Sequence, residues 1–175
     1  MSERAAGILM PISSLPSEYG IGCFSKSAYE FVDWLKGAGQ SYWQILPLGP
    51  TSYGDSPYQS FSTFAGNPYF IDLDLLASEG LLDKKEYVSV NWGDDVSRID
   101  YGRLYEQRYP VLKLAAKRFL ENEPEDFETF CELQAFWLED YALFMTLKDA
   151  HGGCSWWPGE DELKRRGHLA IGKER

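Results

Sequence analysis

The sequence predicts an α/β fold that begins with a parallel strand–helix–strand unit and continues into a mainly helical part. Two short apolar runs, at residues 7–12 and 42–48, flank an amphipathic stretch, which is the order of a βαβ unit. Beyond residue 75, Gly/Pro-rich loops give way to longer patterns with apolar residues at helical spacing. We therefore predict a strand-bearing part over residues 1–75 and a helical subdomain over residues 76–175.

The two apolar runs have the composition of buried parallel strands. A strand that is covered on both faces is a nearly continuous apolar run, and both segments fit this description. The first run ends at Ser-Ser-Leu-Pro, and the second is followed directly by a Gly/Pro loop. That second loop is therefore expected at the carboxyl edge of the sheet, where α/β enzymes place their ligands.

The helix between the strands carries an apolar stripe at spacings of three and four, made of Ala28, Phe31, Val32 and Leu35. Two residues compete to cap its N-terminus. Ser27 has Glu30 three positions later, as in a capping box, whereas Ser25 is placed for a hydrophobic staple. The glycines within residues 37–39 are expected to end the helix.

In residues 70–75, apolar side chains alternate with acidic ones, which predicts a strand with one face exposed to solvent. Asp72 and Asp74 would then share that face, with ends about 7 Å apart. Nothing in the sequence opposes them across the strand, so we interpret them as solvated carboxylates rather than as a catalytic pair.

The second half of the chain predicts two long helices, at residues 100–120 and 124–150. Pro110 either kinks the first helix or marks its first turn. Gly152 and Gly153 close the second helix. Its aromatic stripe is expected to face a core, and comprises Phe127, Phe130, Cys131, Trp137, Tyr141 and Phe144. The adjacent Trp156 and Trp157 fit an anchored loop better than a sugar platform.

The charge of the chain argues for a neutral partner. The formal net charge is -10 over 175 residues, which disfavours nucleic acid because its phosphates require clustered Lys and Arg. No apolar run approaches the roughly 20 residues that cross a bilayer, and the N-terminus does not have the order of a signal peptide. We therefore expect a cytoplasmic protein without a membrane partner.

Metal and cofactor chemistry have little support in the sequence. The chain has three cysteines, at wide spacings that fit reduced thiols better than a disulfide framework. His151 and Cys154 form an H-x-x-C pair, but a zinc site needs about four such ligands. With two histidines in the chain, a Ser-His or Cys-His catalytic arrangement is equally weakly supported.

The most informative segment is the loop that follows the second apolar run. It carries Tyr53, Asp55, Ser56, Tyr58 and Gln59 among Gly and Pro residues. A saccharide offers flat C–H faces and many hydroxyls, so its receptor needs aromatic faces beside short polar side chains on a rigid loop. The pattern indicates a sugar site; the alternative is an ordinary polar connection.

Several motifs appear in an order that resembles a known family. They lie at residues 6–9, 14–22, 39–50, 53–60 and 64–69, with supporting matches at residues 99–102 and 155–157. In this order they closely resemble the start of the amylomaltases, the bacterial 4-α-glucanotransferases or disproportionating enzymes related to the α-amylase superfamily. The resemblance implies the N-terminal part of a (β/α)8 TIM barrel with an inserted mainly helical subdomain.

The resemblance also implies a chemistry, namely retaining double-displacement transfer of α-1,4-glucan segments between maltooligosaccharides, without cofactor or metal. In the family a nucleophilic Asp, an acid/base Glu and a third Asp come from later strands. None of them matches a residue of this sequence. A barrel needs about 250 residues, so we expect the chain to be an N-terminal portion that lacks the catalytic carboxylates and is inactive alone.

By resemblance, the residues of this chain would bind substrate. Tyr58 would stack on the glucose beside the bond that is cleaved, Ser56 would hydrogen-bond a neighbouring sugar, and Asp55 would hold the loop in shape. Tyr53 and Tyr101 match tyrosines of a second glucan groove away from the active site. One position departs from the family: many members carry an acidic residue after Gly-Ile-Gly, where this chain has Cys23.

Two other functions remain as alternatives. A non-catalytic glucan-binding protein would keep the tyrosine loop and lack the rest of the enzyme. A scaffold would use the acidic helices as a partner surface, which is disfavoured because exposed parallel strands invite aggregation.

Overall fold

The computed structural model describes residues 4–153, and the chain divides into two compact units, Met1–Pro124 and Glu125–Arg175. No helix in this described part is long and apolar enough to cross a membrane. In chain order the elements are β1 (Gly7–Leu9), α1 (Lys26–Gly37), β2 (Tyr42–Gln44), α2 (Leu73–Ser78), α3 (Tyr101–Glu121) and α4 (Asp126–Ala150), with short 3-10 helices at Ile12–Ser14, Pro68–Phe70 and Lys84–Glu86.

The predicted βαβ unit is present. β1 and β2 pair in parallel, with Gly7 opposite Tyr42 and Leu9 opposite Gln44. The strands approach closely at Gly7, because a Cβ atom there would lie 2.6 Å from the Tyr42 carbonyl oxygen. Each strand is shorter than its apolar run, so residues 10–14 and 45–48 are free to form the connections at the carboxyl edge.

Helix α1 resolves the competition between its two candidate caps. The Ser25 side chain accepts a hydrogen bond from the Ser27 backbone N–H at 3.3 Å, so Ser25 is the N-cap and Ser27 lies in the first turn. At the other end Gly39 has a φ of 68°, and the Gln40 N–H donates to the Leu35 carbonyl at 2.9 Å. The glycine therefore ends the helix as predicted.

The prediction of a strand at residues 70–75 is wrong. These residues form the end of a 3-10 helix and the start of α2, and Asp72 is the N-cap, accepting from the Asp74 N–H at 3.0 Å. Asp74 is not simply solvated, because its carboxylate accepts from the Tyr19 hydroxyl at 3.0 Å and the Tyr87 hydroxyl at 2.7 Å. The alternation arose because capping and first-turn positions favour acidic residues.

A single apolar cluster organises much of the first unit. It contains buried residues from before and after position 75, including Tyr19, Leu73, Tyr87 and Leu104. Helix α3 contributes its buried face, and Pro110 lies inside this helix rather than in its first turn. The boundary between residues 75 and 76 and the helical subdomain beyond it stay predictions.

Helix α4 belongs to the second unit. Among the residues that the structure describes, none on α4 is buried, and Phe130 and Phe144 are exposed. The other four residues of the predicted stripe, Phe127, Cys131, Trp137 and Tyr141, are half-buried and share a helical spacing, so the stripe is confirmed in part. The predictions about Cys154, Trp156 and Trp157 lie outside the described residues.

An ion pair ties α3 to the 3-10 helix at Lys84–Glu86. The Arg118 guanidinium donates to both carboxylate oxygens of Glu86, at 2.8 Å each, and also to the Leu81 carbonyl at 3.1 Å. Glu86 further accepts from the Asp83 N–H at 2.8 Å. The bonds from Arg118, followed by that from Asp83, lower the pKa of Glu86 from 4.5 to about 2.

This pair predicts a pH dependence of stability. Because the folded pKa of Glu86 lies below the unfolded one, its contribution is complete above about pH 4.5 and is lost as the pH falls through about 2. We expect the difference in unfolding free energy between the wild type and Glu86→Gln to shrink over that interval. Urea denaturation at several pH values measures it, and a constant difference would contradict the assignment.

Candidate functional site

The candidate site is built on residues 53–59, hereafter the tyrosine loop, which follows β2 at the carboxyl edge of the sheet. Two backbone hydrogen bonds shape it, from the Asp55 N–H to the Ser52 carbonyl at 3.0 Å and from the Gln59 N–H to the Ser56 carbonyl at 3.1 Å. The Ser56 hydroxyl accepts from the Tyr58 N–H at 3.3 Å. The loop is thus made of consecutive turns, with short polar side chains between two tyrosines.

Both tyrosines of the loop are presented to solvent. Tyr53 is fully exposed, and 72% of the surface of Tyr58 is accessible. A large aromatic ring gains free energy by burial, so rings held this far into water are available to an incoming apolar face. The ring faces needed for stacking on a saccharide are therefore accessible in the structure.

Asp55 has an unusual backbone conformation. Its φ is 55°, the only positive φ of a non-glycine residue in the described part of the chain, and it follows Gly54 at a φ of 93°. Aspartate tolerates this left-handed region better than most residues do, but at some cost in strain. Burial raises the pKa of the Asp55 carboxyl. Strained residues cluster at functional sites, which makes Asp55 a candidate for a loop-shaping role.

A cavity of about 170 Å³ lies at this edge of the sheet, behind the loop. Residues from both strand ends, the loop and α3 line it. Its polar lining consists of Ser13, Thr51, Asp55, Asn67 and Tyr101, and its apolar lining includes Ile12, Leu48 and Phe70. We hereafter call it the loop cavity. An apolar pocket with a few convergent polar groups is the usual form of a small-molecule site.

The structure groups the predicted residues differently from the sequence. Asp55 and Tyr101, which were predicted for separate sites, line the same cavity. Tyr53 and Tyr58 stand on the outer side of the loop, and neither is among the cavity's lining residues. Ser56 lies between them in the chain, and its hydroxyl accepts a hydrogen bond from the Tyr58 N–H within a local turn.

Sequence reasoning missed two residues at this site. Asn67 is buried, accepts from the Tyr69 N–H at 3.0 Å and donates its own N–H to the Leu48 carbonyl at 2.8 Å. Tyr69 is buried, and its ring centroid lies 6.3 Å from that of Tyr101. The Asn-Pro-Tyr sequence was the available signal, because Asn before Pro at a helix start is a capping arrangement.

Cys23, the position that departs from the family pattern, lies in a charged environment. Its thiol is buried within hydrogen-bonding reach of the Arg108 guanidinium. Burial, followed by the charge of Asp72, raises the pKa of the thiol, with Arg108 opposing the shift. In the described part of the chain, no group of three or more His, Cys, Asp or Glu residues could hold a metal ion.

The parallel βαβ unit, with exposed tyrosines and a small, mainly apolar cavity at the carboxyl edge of its sheet, has the arrangement of an α/β protein that binds a small molecule there. The family model for the 4-alpha-glucanotransferases of glycoside hydrolase family 77 matches residues 10–175. The chain therefore belongs to glycoside hydrolase family 77, which confirms the resemblance seen in the sequence.

Individual relatives agree with this assignment. The 4-alpha-glucanotransferase of Streptococcus pneumoniae TIGR4 is 51% identical over 169 residues, covering 95% of this chain and 34% of the relative. That of Clostridium butyricum is 53% identical over 164 residues, covering 94% and 34%. The solved amylomaltase from Streptococcus agalactiae in complex with acarbose has a TM-score of 0.93 at 43% identity, covering 99% of this chain and 35% of that one. The chain spans about a third of the length of these relatives.

Proposed function

We propose that this chain is the glucan-binding N-terminal portion of a 4-α-glucanotransferase that transfers α-1,4-glucan segments between maltooligosaccharides. The observation that carries the proposal is the exposed Tyr58 ring beside short polar side chains, on a loop at the carboxyl end of β2. Relatives at about half identity with the same enzyme name support it. The complex of the Streptococcus agalactiae amylomaltase with acarbose supports a glucan-type ligand.

The fold belongs to the same proposal. The β1–α1–β2 unit would be the first part of a (β/α)8 barrel, in which ligands bind at the carboxyl ends of the strands. Residues 76–175 would form the inserted helical subdomain. A cytoplasmic location is also part of the proposal, and it fits a substrate of the glycogen and maltose type.

Within the site, the assignment of roles follows the chemistry of each side chain. Tyr58 would stack on a glucose ring and Ser56 would hydrogen-bond a neighbouring sugar. Asp55 would keep the loop in its strained shape, for which its left-handed backbone is direct support. Tyr53, fully exposed at the loop's outer edge, would contribute to a second glucan groove.

The chemical step needs groups that we do not assign to this chain. A retaining transfer uses one carboxylate to attack the anomeric carbon and a second carboxyl group to protonate the leaving sugar oxygen. A hydroxyl of another glucan then displaces the carboxylate, and its proton passes to the second group. We propose that both groups lie in sequence outside these 175 residues, so that this chain binds and orients the glucan.

A chimera tests this proposal. The matching first third of the Streptococcus pneumoniae relative, 169 aligned residues at 51% identity, would be replaced by this chain. We expect the chimera to convert maltotriose into glucose and longer maltooligosaccharides, as chromatography would show. We expect the 175-residue chain alone to give no product, because it lacks both carboxyl groups.

The two arms separate the alternatives. A chimera that folds and binds maltotriose but transfers nothing would favour a non-catalytic glucan-binding protein. Product formation by the isolated chain would show that a complete carboxylate site lies within it and would overturn our placement of the chemistry. The control is the unmodified relative, assayed at the same concentration.

A further inference from the structure

The two ends of the tyrosine loop are in contact. Gly49 comes shortly before the loop, and Ser60 comes directly after it. A Cβ atom at Gly49 would overlap the Ser60 Oγ atom, and it would lie 3.0 Å from both the Ser60 Cβ atom and the Ser62 carbonyl oxygen. The backbone of Gly49 is therefore packed directly against the turn that follows the loop, with no room for a side chain. We hereafter call Gly49, Ser60 and Ser62 the loop neck.

The Ser60 side chain is fixed in the neck by hydrogen bonds of its own turn. Its hydroxyl donates to the Ser62 carbonyl oxygen at 2.7 Å and accepts from the Ser62 N–H at 3.3 Å. The Ser62 hydroxyl accepts in turn from the Phe64 N–H at 3.2 Å and the Ala65 N–H at 3.0 Å. A serine hydroxyl has one donor, and that of Ser60 is used here. The side chain that Gly49 contacts therefore belongs to a well-braced turn.

A backbone hydrogen bond closes the same segment a second time, at its base. The Asn67 N–H donates to the Leu48 carbonyl oxygen at 2.8 Å, and the Asn67 side chain accepts from the Tyr69 N–H at 3.0 Å. Asn67 is buried, and Leu48 packs against the buried cluster that contains Ile12. The base of residues 48–67 is thus anchored to the core, and the neck is adjacent to it.

The tyrosine loop itself is shaped by hydrogen bonds between near neighbours. The Asp55 N–H bonds to the Ser52 carbonyl, and the Gln59 N–H bonds to the Ser56 carbonyl. Such bonds fix the shape of each turn, but they do not fix the direction of the loop as a whole. That direction depends on how the two ends of the loop are held. A displacement at the neck would therefore move Tyr58, which lies two positions before Ser60.

From this arrangement we propose that Gly49 and Ser60 are positioning residues for the glucan site, because their contact holds the ends of the tyrosine loop together and so fixes the place of the Tyr58 ring. Neither residue needs to touch the substrate for this role. The inference rests on the proposed stacking of Tyr58 on a glucose ring. Glycine is needed at position 49 for the space beside Ser60, since its φ is not in the left-handed region.

Gly49→Ala in the 175-residue chain tests the neck, and Gly66→Ala is the matched control. Both glycines lie within residues 48–67 and neither has a positive φ, but a Cβ atom at Gly66 would meet nothing within 4 Å. Overpacking a close contact displaces the backbone around it. We therefore expect maltoheptaose affinity, measured by calorimetry, to fall about tenfold in Gly49→Ala and to stay within about twofold of the wild type in Gly66→Ala. Equal losses in the two variants would contradict the role of the neck.

Amide hydrogen exchange by NMR reads the neck without a ligand. The reporter is the Asn67 N–H, whose bond to Leu48 lies next to Gly49, and the internal reference is the Gln40 N–H, which bonds to the Leu35 carbonyl at the end of α1. Because the displacement is local, we expect Gly49→Ala to accelerate exchange at Asn67 about fivefold and at Gln40 by less than about twofold. Equal acceleration at both amides would show a general loss of stability and would overturn the proposal.

Rescue by a second substitution separates positioning from an independent loss. Ser60→Gly removes the Oγ and Cβ atoms that a new methyl group at position 49 would meet. Ser60→Gly alone should weaken affinity about threefold because it leaves the neck loosely packed, whereas Gly49→Ala/Ser60→Gly should return to within about threefold of the wild type. If Gly49→Ala does not fold, recovery of folding in the double variant is the same rescue. Losses that add in the double variant, or a double variant that stays unfolded, would overturn the proposal.

The two measurements also separate this inference from the proposed function. Failure of the wild-type chain to bind maltoheptaose would count against the proposed function alone, and exchange at Asn67 would still show whether the neck holds the loop closed. Faster exchange at Asn67 with unchanged affinity in Gly49→Ala would overturn the positioning role.

Discussion

Replacing Arg108 with alanine is expected to lower the free energy of unfolding by about 3–5 kcal/mol, because two backbone carbonyls lose their donor and a cavity is left in the core. Arg108 has no exposed surface. Its guanidinium donates to the Tyr19 carbonyl at 3.1 Å and the Ile71 carbonyl at 2.7 Å, and it lies 5.8 Å from the ring centroid of Trp92. One side chain thus joins the loop before α1, the segment before α2, and α3.

Two effects add up in this variant. Truncation would leave buried backbone carbonyls without their donor, and each unsatisfied group costs about 1–3 kcal/mol. It would also leave a cavity inside the principal apolar cluster. Since a domain is typically stable by about 5–15 kcal/mol, a loss of this size brings the first unit close to unfolding.

Urea denaturation followed by circular dichroism measures the change. Arg98→Ala is the matched control, because the Arg98 side chain is largely exposed and we expect an effect within about 0.5 kcal/mol. Arg108→Lys should give an intermediate loss, since lysine keeps the charge but not the two-pronged donor. Equal stability of the Arg108 and Arg98 alanine variants would contradict the bridging role.

Replacing Tyr58 with alanine is expected to weaken maltoheptaose binding at least tenfold, or about 1.4 kcal/mol. The ring is exposed in the free chain and would be covered by sugar in the complex, so its burial is gained on binding only. The stability of the folded chain should change little, because the ring packs against little of the protein. Calorimetric titration gives the affinity, and thermal denaturation gives the stability.

Tyr29 provides a matched control for Tyr58. It is 74% exposed, close to the 72% of Tyr58, but lies on α1 rather than on the tyrosine loop. Tyr29→Ala should leave affinity within twofold of the wild type. Tyr58→Ala should also weaken binding more than Tyr101→Ala does. Equal effects of the Tyr58 and Tyr101 variants, or none from Tyr58, would contradict our assignment of roles.

Part of the fold was predictable because it depends on local pattern. The two apolar runs predicted parallel strands, and the stripe of Ala28 and Leu35 predicted α1. Residues 70–75 were mispredicted because a short alternation of acidic and apolar residues fits both a strand and a capped helix start. Only the hydrogen bonds of Asp72 and Asp74 distinguish the two.

The choice between Ser25 and Ser27 as the N-cap of α1 is a second case that local sequence pattern could not decide. Both residues satisfied a capping rule in the sequence, and the backbone direction before α1 selected Ser25. The burial of the aromatic side chains of α4 is a third case, which concerns a whole helix face. Their spacing predicted a buried face, and Phe127, Trp137 and Tyr141 are half-buried while Phe130 and Phe144 are exposed. The extent of burial depends on which element packs there, and that information is not in the helix itself.

The sequence by itself determined the βαβ start, the family and the tyrosine loop, because strand runs, caps and turn residues act between near neighbours in the chain. Only the tertiary structure decided what stands behind the loop. Arg108 reaches a carbonyl 89 residues away, and Tyr101 joins Asp55 at one cavity, although the sequence had separated them. Such contacts are set by the packing of α3 against the 3-10 helix Pro68–Phe70 and the loops around it, and no local pattern encodes which distant side chains that packing brings together.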